Sequence, residues 1–353
     1  MQAAPAIRVG LIGYGYAGRT FHAPLIRAVP GLDLRLIGSR DPARVAADLP
    51  DVAVLGDPLA AATAEAVDLV VIATPNDTHA PLARAALAAG KHVVVDKPFT
   101  LDLAEARALR AEAERRNRLL AVFHNRRWDS DFLTLRAALA EGVIGPVRHF
   151  ESHFDRFRPE VRERWREGAG PGSGIWYDLG PHLLDQALLL FGLPERVTAN
   201  LARLRPGARA EDWAHVVLDY PDLRVVLHAS MLVAGGSPRF MAHGEAGSLI
   251  KHGADRQEQL LQAGLAPGAP GWGADSDDLA IHDGTGRVTH RPALAGDQRR
   301  FYQGVVQAIA KDTIDHTAAL EAVRVMACLE AAFLAARTGA SVGLSLAPDE
   351  REA

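Results

Sequence analysis

Two clusters of residues in this chain have the types and spacing to move protons. Asp178 and His182 stand four apart in Trp176-Tyr177-Asp178-Leu179-Gly180-Pro181-His182, just after the glycine-rich stretch Gly170-Pro171-Gly172-Ser173-Gly174. At the start of a helix that spacing projects both side chains from one face. An imidazole accepts a hydroxyl proton near its unperturbed pKa, and a neighbouring carboxylate holds the ring and raises its basicity. The plainer alternative makes Asp178 a helix N-cap and His182 a polar residue near a helix start. Lys97 lies in Val93-Val94-Val95-Asp96-Lys97-Pro98, directly after an apolar run. A partly desolvated lysine exchanges a proton with a hydroxyl near neutrality, and Pro98 fixes the backbone that aims it. Its alternative is a solvated lysine after a strand that Pro98 ends.

A third cluster binds rather than reacts. Gly13-Tyr14-Gly15-Tyr16-Ala17-Gly18 follows the apolar run Ile7 to Ile12 and precedes a helical pattern from Phe21 to Ala28. Strand, Gly-x-Gly-x-x-Gly and helix form the dinucleotide fingerprint: Gly13 for the tight turn, Gly15 for close approach to a pyrophosphate, Gly18 for helix–strand packing. At the end of the second strand, Ser39 and Arg40 suit the 2′-phosphate of NADP, which an acidic residue would repel. Asp41 is the rival, as a ribose ligand favouring NAD. Asp41-Pro42 reads better as N-cap and first residue of the next helix.

These residues need elements to position them. Apolar runs at 7–12, 33–38, 68–73, 92–95 and 119–123 alternate with helical patterns at 20–29, 42–48, 79–89 and 102–116, which predicts a parallel, doubly wound sheet. After a helix at 131–141, strand-like segments at 146–156, 196–204, 213–220, 223–232 and 238–243 predict an antiparallel sheet, interrupted by a helix at about 180–191. The stretch 264–296 reads as loop, and helices at 298–310 and 317–337 follow. The expected fold is therefore α/β plus α+β: a Rossmann domain over 1–124 and a substrate-binding and oligomerisation domain over 125–353, the last helices packing back on the first domain. The 353 residues, 48% hydrophobic and 23% charged, suit two globular domains, and no stretch is long and apolar enough to span a membrane. A net charge of −4 gives no sign of a nucleic-acid surface. A single cysteine, Cys328, and a first strand near residue 7 point to a reducing, cytoplasmic setting. No metal-ligand spacing appears. The strands around Val216–Leu218 and Val225–Leu227 are apolar on both sides, which predicts a homodimer or homotetramer through the second sheet.

Together these motifs resemble the Gfo/Idh/MocA oxidoreductases, from the first strand to the last helix. Asp96-Lys97-Pro98 matches the family's acid-Lys-Pro motif, with aspartate where glutamate is usual, and Asp178 with His182 matches its Asp-x-x-x-His. Thr74-Pro75-Asn76 with His79 matches a cofactor-contacting turn. His124-Asn125-Arg126-Arg127-Trp128-Asp129, Arg156-Phe157-Arg158-Pro159-Glu160-Val161, Arg164-Trp165-Arg166-Glu167 and Trp272-Gly273-Ala274-Asp275 resemble the NADP-dependent scyllo-inositol dehydrogenase branch. The resemblance implies an NAD(P)-dependent dehydrogenase acting on a secondary alcohol of a polyol or sugar. Lys97, Asp178 and His182 would be its catalytic set; Thr74, Pro75, Asn76, His79, Asp96, Lys97 and Asn125 would join the glycine loop around the cofactor. Asn125, Arg156, Arg158 and Trp165 would help hold substrate hydroxyls. Against that, the charges from Arg162 to Glu167 read as a solvated face, and His22 as either a cofactor neighbour or a surface histidine. A reductase of a sugar aldehyde or dicarbonyl, or a cofactor-sensing regulator on the same scaffold, are the competing readings.

Overall fold

Apolar runs without polar alternation belong to strands buried on both faces. In the computed structural model, which describes residues 5–311 and 313–352, these runs become the centre of a parallel sheet. Its strands are β1 (Ile7–Ile12), β2 (Leu32–Gly38), β3 (Ala53–Leu55), β4 (Leu69–Ile72), β5 (His92–Val95) and β6 (Leu120–Val122), in the order β3-β2-β1-β4-β5-β6. The helices between them are α1 (Ala23–Arg27), α2 (Pro42–Asp48), α3 (Pro58–Thr63), α4 (His79–Ala88) and α5 (Leu103–Arg116). Asp41, Asp57 and Asp102 cap α2, α3 and α5 by accepting the backbone N–H of Arg44, Leu59 and Glu105. β3 and α3 lie in a segment where no element was expected; β3 is short and largely exposed, so it carries no apolar run. Chain order changes direction between β1 and β4, and ligands collect beyond the carboxyl ends of strands at such a point. The loops leaving β1, β4, β5 and β6 at that end carry Gly13, Thr74, Lys97 and Asn125.

A second compact unit is built around a nine-stranded sheet. Its elements are α6 (Ser130–Ala140), β7 (Val147–Asp155), α7 (Ile175–Phe191), β8 (Arg196–Ala202), β9 (Trp213–Asp219), β10 (Arg224–Ser230), β11 (Phe240–Gly244), β12 (Gly247–Lys251), β13 (Leu279–Asp283), β14 (Val288–Arg291) and β15 (Val342–Gly343). The order is β14-β13-β12-β11-β7-β10-β9-β8-β15, antiparallel throughout except for the parallel pair β7 and β10. One face is covered by α7, whose Phe191 ring meets Phe150 of β7 at 5.1 Å. Trp176 of α7 is fully buried and its indole N–H donates to the Leu329 carbonyl (3.4 Å).

Two expectations need correction here. The helix expected from about residue 180 starts at Ile175, because Gly174 (φ 96°) makes the turn that begins it. The stretch 264–296, expected to be loop, holds β13 and β14. β14 is an exposed edge strand, Val288-Thr289-His290-Arg291, with no buried face to impose an alternation.

The first unit also takes in Gln257–Trp272 and Asp297–Val323. These later segments bring α8 (Gln257–Gln262), α9 (Arg299–Ile309) and the opening of α10 (Thr317–Thr338). Phe301 and Tyr302 of α9 pack on Phe123, which follows β6, with ring centroids 4.9 and 5.8 Å away. No described helix is long and apolar enough to cross a membrane.

Candidate active site

The three glycines of the loop in the first unit differ in what an added side chain would meet. At Gly13 (φ 96°) an added Cβ would lie 2.4 Å from the Ala73 carbonyl oxygen, and at Gly18 it would lie 2.0 Å from that of Gly13. The fold itself demands those two. At Gly15 an added Cβ would meet nothing within 4 Å. The protein leaves space there that it does not fill, which suits a pyrophosphate approaching the backbone.

Around the loop, the Tyr14 hydroxyl donates to Asp48 (3.2 Å), and burial followed by the Asp48 charge raises its pKa to about 12. Arg19 pairs with the same carboxylate (2.7 Å). Tyr16 is half exposed; its hydroxyl donates to Glu258 and accepts from Gln262, both on α8. Ala17 precedes a π-helical turn (Gly18–His22) that runs on into α1.

At the end of β2, the Ser39 hydroxyl accepts the Asp41 N–H (3.1 Å), and Arg40 is exposed. Asp41 caps α2 through its side chain, so it takes the N-cap role rather than standing free as a ribose ligand. Thr74, Pro75 and Asn76 form the turn after β4, with the Thr74 and Thr78 hydroxyls 2.6 Å apart and Asn76 buried. His79 is fully buried: Nδ1 lies 2.9 Å from the Pro98 carbonyl and Nε2 3.0 Å from that of Thr74. It ties the Thr74 turn to the Lys97 turn. Burial depresses its pKa, partly offset by Asp96 and those carbonyls.

Asp96 is nearly buried and accepts the Lys97 N–H (2.9 Å); the Lys97–Pro98 peptide is cis. Burial alone would raise the Asp96 pKa, but His22, Lys97 and His79 hold it below the ordinary aspartate value. His22 is not a surface residue: it is fully buried, with Nε2 3.9 Å from Asp96 and Nδ1 2.6 Å from the Tyr302 hydroxyl. Burial and the Asp96 charge push the Tyr302 pKa well up. This Asp96–His22–Tyr302 chain was missed in the sequence because Tyr302 lies on α9, far along the chain; the only signal was a histidine on the apolar first helix. Asn125 is buried in the turn after β6.

In the second unit, Asp178 and His182 both lie within α7, one turn apart. Asp178 is not the N-cap, which is Gly174; its N–H donates to the Gly174 carbonyl (3.1 Å). His182 is 6% exposed and meets the Phe154 ring edge-on at 6.4 Å. Behind Phe154 lie two guanidiniums, Arg239 at 3.8 Å and Arg126 at 5.0 Å from the ring centre. Burial lowers the Arg239 pKa to about 10, with Asp131 pulling it back. Asp178 Oδ1 is 3.5 Å from Arg166 Nε, and Arg166 stacks 4.7 Å over the 41% exposed Trp165 ring. Arg156 is half-buried at the end of β7. The Arg162–Glu167 stretch is not simply a solvated face, since Glu167 is buried and paired to Arg164 (2.7 Å) and Arg205 (3.0 Å). Asp275 of the Trp272–Asp275 segment accepts from Ser130 Oγ (2.8 Å) and pairs with the fully buried Lys251 (3.1 Å), so that carboxylate braces the unit. Among the described residues no group of three or more His, Cys, Asp or Glu side chains is arranged to hold a metal.

Residues 7–124 match the Gfo/Idh/MocA family's NAD-binding Rossmann fold, and residues 136–344 match its C-terminal alpha/beta domain. The chain belongs to the Gfo/Idh/MocA oxidoreductase family. Within the family it is 52% identical to the uncharacterized oxidoreductase YdgJ of Escherichia coli, over 96% of this chain and 99% of that one. It is 36% identical to the NADP-dependent scyllo-inositol 2-dehydrogenase IolW of Bacillus subtilis, over 92% of each. A Klebsiella pneumoniae crystal structure superposes with a TM-score of 0.92 at 55% identity, covering 99% of this chain and 98% of the other. The Gfo/Idh/MocA membership expected from Asp96-Lys97-Pro98 and Asp178/His182 is thus the membership found.

Proposed function

We propose that the chain is an NADP-dependent dehydrogenase that interconverts a secondary alcohol of an inositol-like polyol or sugar and its ketone. The observation that carries this reading is the Asp178/His182 pair, set one turn apart on α7 with the imidazole largely withdrawn from water. Gly13 to Gly18 would hold the pyrophosphate, Ser39 and Arg40 the 2′-phosphate, and Thr74, Pro75, Asn76 and Asn125 the nicotinamide half. When bound, the nicotinamide supplies the hydride chemistry at its C4. His182 takes the hydroxyl proton in oxidation and returns it in reduction, while Asp178 steadies the ring or a substrate hydroxyl. Lys97 polarises the reacting oxygen, and its backbone is held by the Asp96 carboxylate. His79, with its ring nitrogens on the Pro98 and Thr74 carbonyls, would hold these two turns in place around the cofactor. Arg156 and Trp165 would contact further hydroxyls.

NADP preference is supported by the exposed Arg40, which has no ion-pair partner among the described residues, and by the NADP-dependent relative. Self-association is inferred through the sheet face opposite α7, where Val217 and Val226 lie among Trp213, His215 and His228 and are only partly buried. Light scattering on the purified protein tests that, and a monomer at micromolar concentration overturns it. The function is tested by an absorbance assay crossing NADP and NAD with inositols, aldoses and their keto forms. Turnover of a polyol faster with NADP is expected, and Arg40→Glu should move the preference toward NAD. Equal use of NAD by the unaltered protein would overturn the Arg40 argument.

A further inference from the structure

Asp96 is a carboxylate at the buried end of β5, and burying a charge is costly unless partners hold it. Its Oδ1 accepts the Lys97 N–H (2.9 Å), and the same oxygen lies 3.9 Å from His22 Nε2. At the other edge of that ring, His22 Nδ1 is 2.6 Å from the Tyr302 hydroxyl. The three groups come from the end of β5, the π-helical turn before α1, and α9, all within the first unit. Their surroundings are apolar. The Phe123 ring centre is 4.3 Å from that of His22 and 5.8 Å from that of Tyr302, and Phe301 meets Tyr302 edge-on at 5.1 Å.

The hydrogen positions follow from these neighbours. His22 Nε2 has no hydrogen-bond partner among the described residues, and the charge facing it is that of Asp96. A bare lone pair there would oppose a carboxylate in an apolar pocket, so Nε2 carries a hydrogen. In the neutral ring Nδ1 is then the acceptor. Tyr302, whose pKa burial and Asp96 push well up, keeps the proton that it donates there. Lys97 and His79 are the other charged or titratable groups acting on Asp96. His79 also fixes the far side of the same turn, with Nδ1 2.9 Å from the Pro98 carbonyl. The Lys97 turn is thus gripped before and after the lysine.

We propose that His22 and Tyr302 are positioning residues for Lys97. Tyr302 orients the His22 ring, the ring holds the Asp96 carboxylate against the Lys97 N–H, and the backbone fixed in this way aims the lysine at the reacting oxygen. Neither residue acts on the substrate itself. A misplacement of about 1 Å at a reacting group costs on the order of 10²-fold in rate, so support of this kind matters to turnover even from a buried position. The proposal rests on the reading of Lys97 as the group that polarises the reacting oxygen, and supplies the support behind it.

Tyr302→Phe removes one hydroxyl and keeps the ring that packs on Phe123 and Phe301. With NADP and a polyol that the protein oxidises, kcat should fall about tenfold, the size of one hydrogen bond, while the KM for NADP stays within a few-fold. His22→Leu should cost about 10–100-fold in kcat, and His22→Gln, which keeps an N–H, should lose less. Because the residues act in series, Tyr302→Phe combined with His22→Leu should be no slower than His22→Leu alone. Tyr302→Phe should likewise cost nothing further in an Asp96→Asn background. Thermal melting identifies any variant that fails to fold. A folded Tyr302→Phe that melts earlier but turns over at the full rate makes the chain a brace of the fold alone and overturns the proposal, as do additive losses.

A second readout needs no turnover. Lys97 is half-buried and one of four lysines in the chain, so isotope-labelled reductive methylation gives a short NMR spectrum in which Lys97→Arg assigns its signal. Tyr302→Phe should shift the Lys97 signal and leave those of the other lysines in place. A fall in kcat with an unmoved Lys97 signal overturns the proposal, because the effect then bypasses the lysine. If no polyol turns over but the Lys97 signal answers Tyr302→Phe, the dehydrogenase reading fails and the positioning chain stands. If polyols turn over and neither kcat nor the Lys97 signal responds, the chain fails and the dehydrogenase stands.

Discussion

An added methyl group separates the three glycines of the first loop. Gly13→Ala should destabilise the protein by at least about 1 kcal/mol, because it places a Cβ at positive φ and against the Ala73 carbonyl. Gly15→Ala meets nothing, so the melting temperature of the ligand-free protein should hold while NADP affinity, read by fluorescence titration, falls roughly tenfold, or about 1.4 kcal/mol. Loss of melting temperature in Gly15→Ala would mean that the glycine serves the fold and not the cofactor. Lys97→Ala and His182→Ala should each lower kcat by about 10²–10⁴ and leave NADP binding within a few-fold, by stopped-flow and titration respectively. At this scale the sequence spoke clearly where spacing alone sets geometry: four residues on a helix put Asp178 and His182 one turn apart whatever surrounds them. It left His22 open between a cofactor neighbour and a surface histidine, since a ring buried against Tyr302 and Asp96 depends on a helix from far along the chain. It misjudged Glu167 for the same reason, its partner Arg205 lying in another segment.

The elements differ in how openly their sequences declare them. β4 and β5 are buried on both faces and read as unbroken valine-rich runs, whereas β14 has neither a buried face nor an apolar run. α8 is short and polar, and it became part of the first unit through bonds to Tyr16 that no local pattern announces. The β5–β6 pairing carries a pH dependence of its own. His92 Nδ1 accepts the Leu119 N–H (3.0 Å), and burial, then the Arg118 charge, lowers its pKa from 6.5 to about 4. The folded state therefore favours the neutral ring, and the unfolded chain takes up a proton first as pH falls. That contribution is fully present above pH 6.5 and is lost as pH falls toward 4. Melting curves of the protein and of His92→Gln should accordingly differ most near neutrality and converge toward pH 4. A gap that stays constant with pH would assign the stabilisation to packing alone.

At the scale of the molecule, the expected cut after residue 124 separates what the chain threads more than once. The first unit draws on Gln257–Trp272 and Asp297–Val323 as well as the residues up to Asn125. A fragment ending at Asn125 would leave Phe123 and His22 without Phe301 and Tyr302, each of which contributes about 1.5–3 kcal/mol when buried. Circular dichroism of that fragment should show a lower melting temperature than the full chain and a broad transition. A sharp transition at the full chain's temperature would show the later segments to be dispensable. The same threading sets an order of events during synthesis. A ribosome adding 5–20 residues per second needs about 10–40 s to make the roughly 200 residues between Asn125 and Val323. For that interval the nascent glycine loop, Thr74 turn and Lys97 turn exist without α8 to hold Tyr16 or α9 to pack on His22, and the first unit stays incomplete. Chaperone demand in a cell would fall on this window.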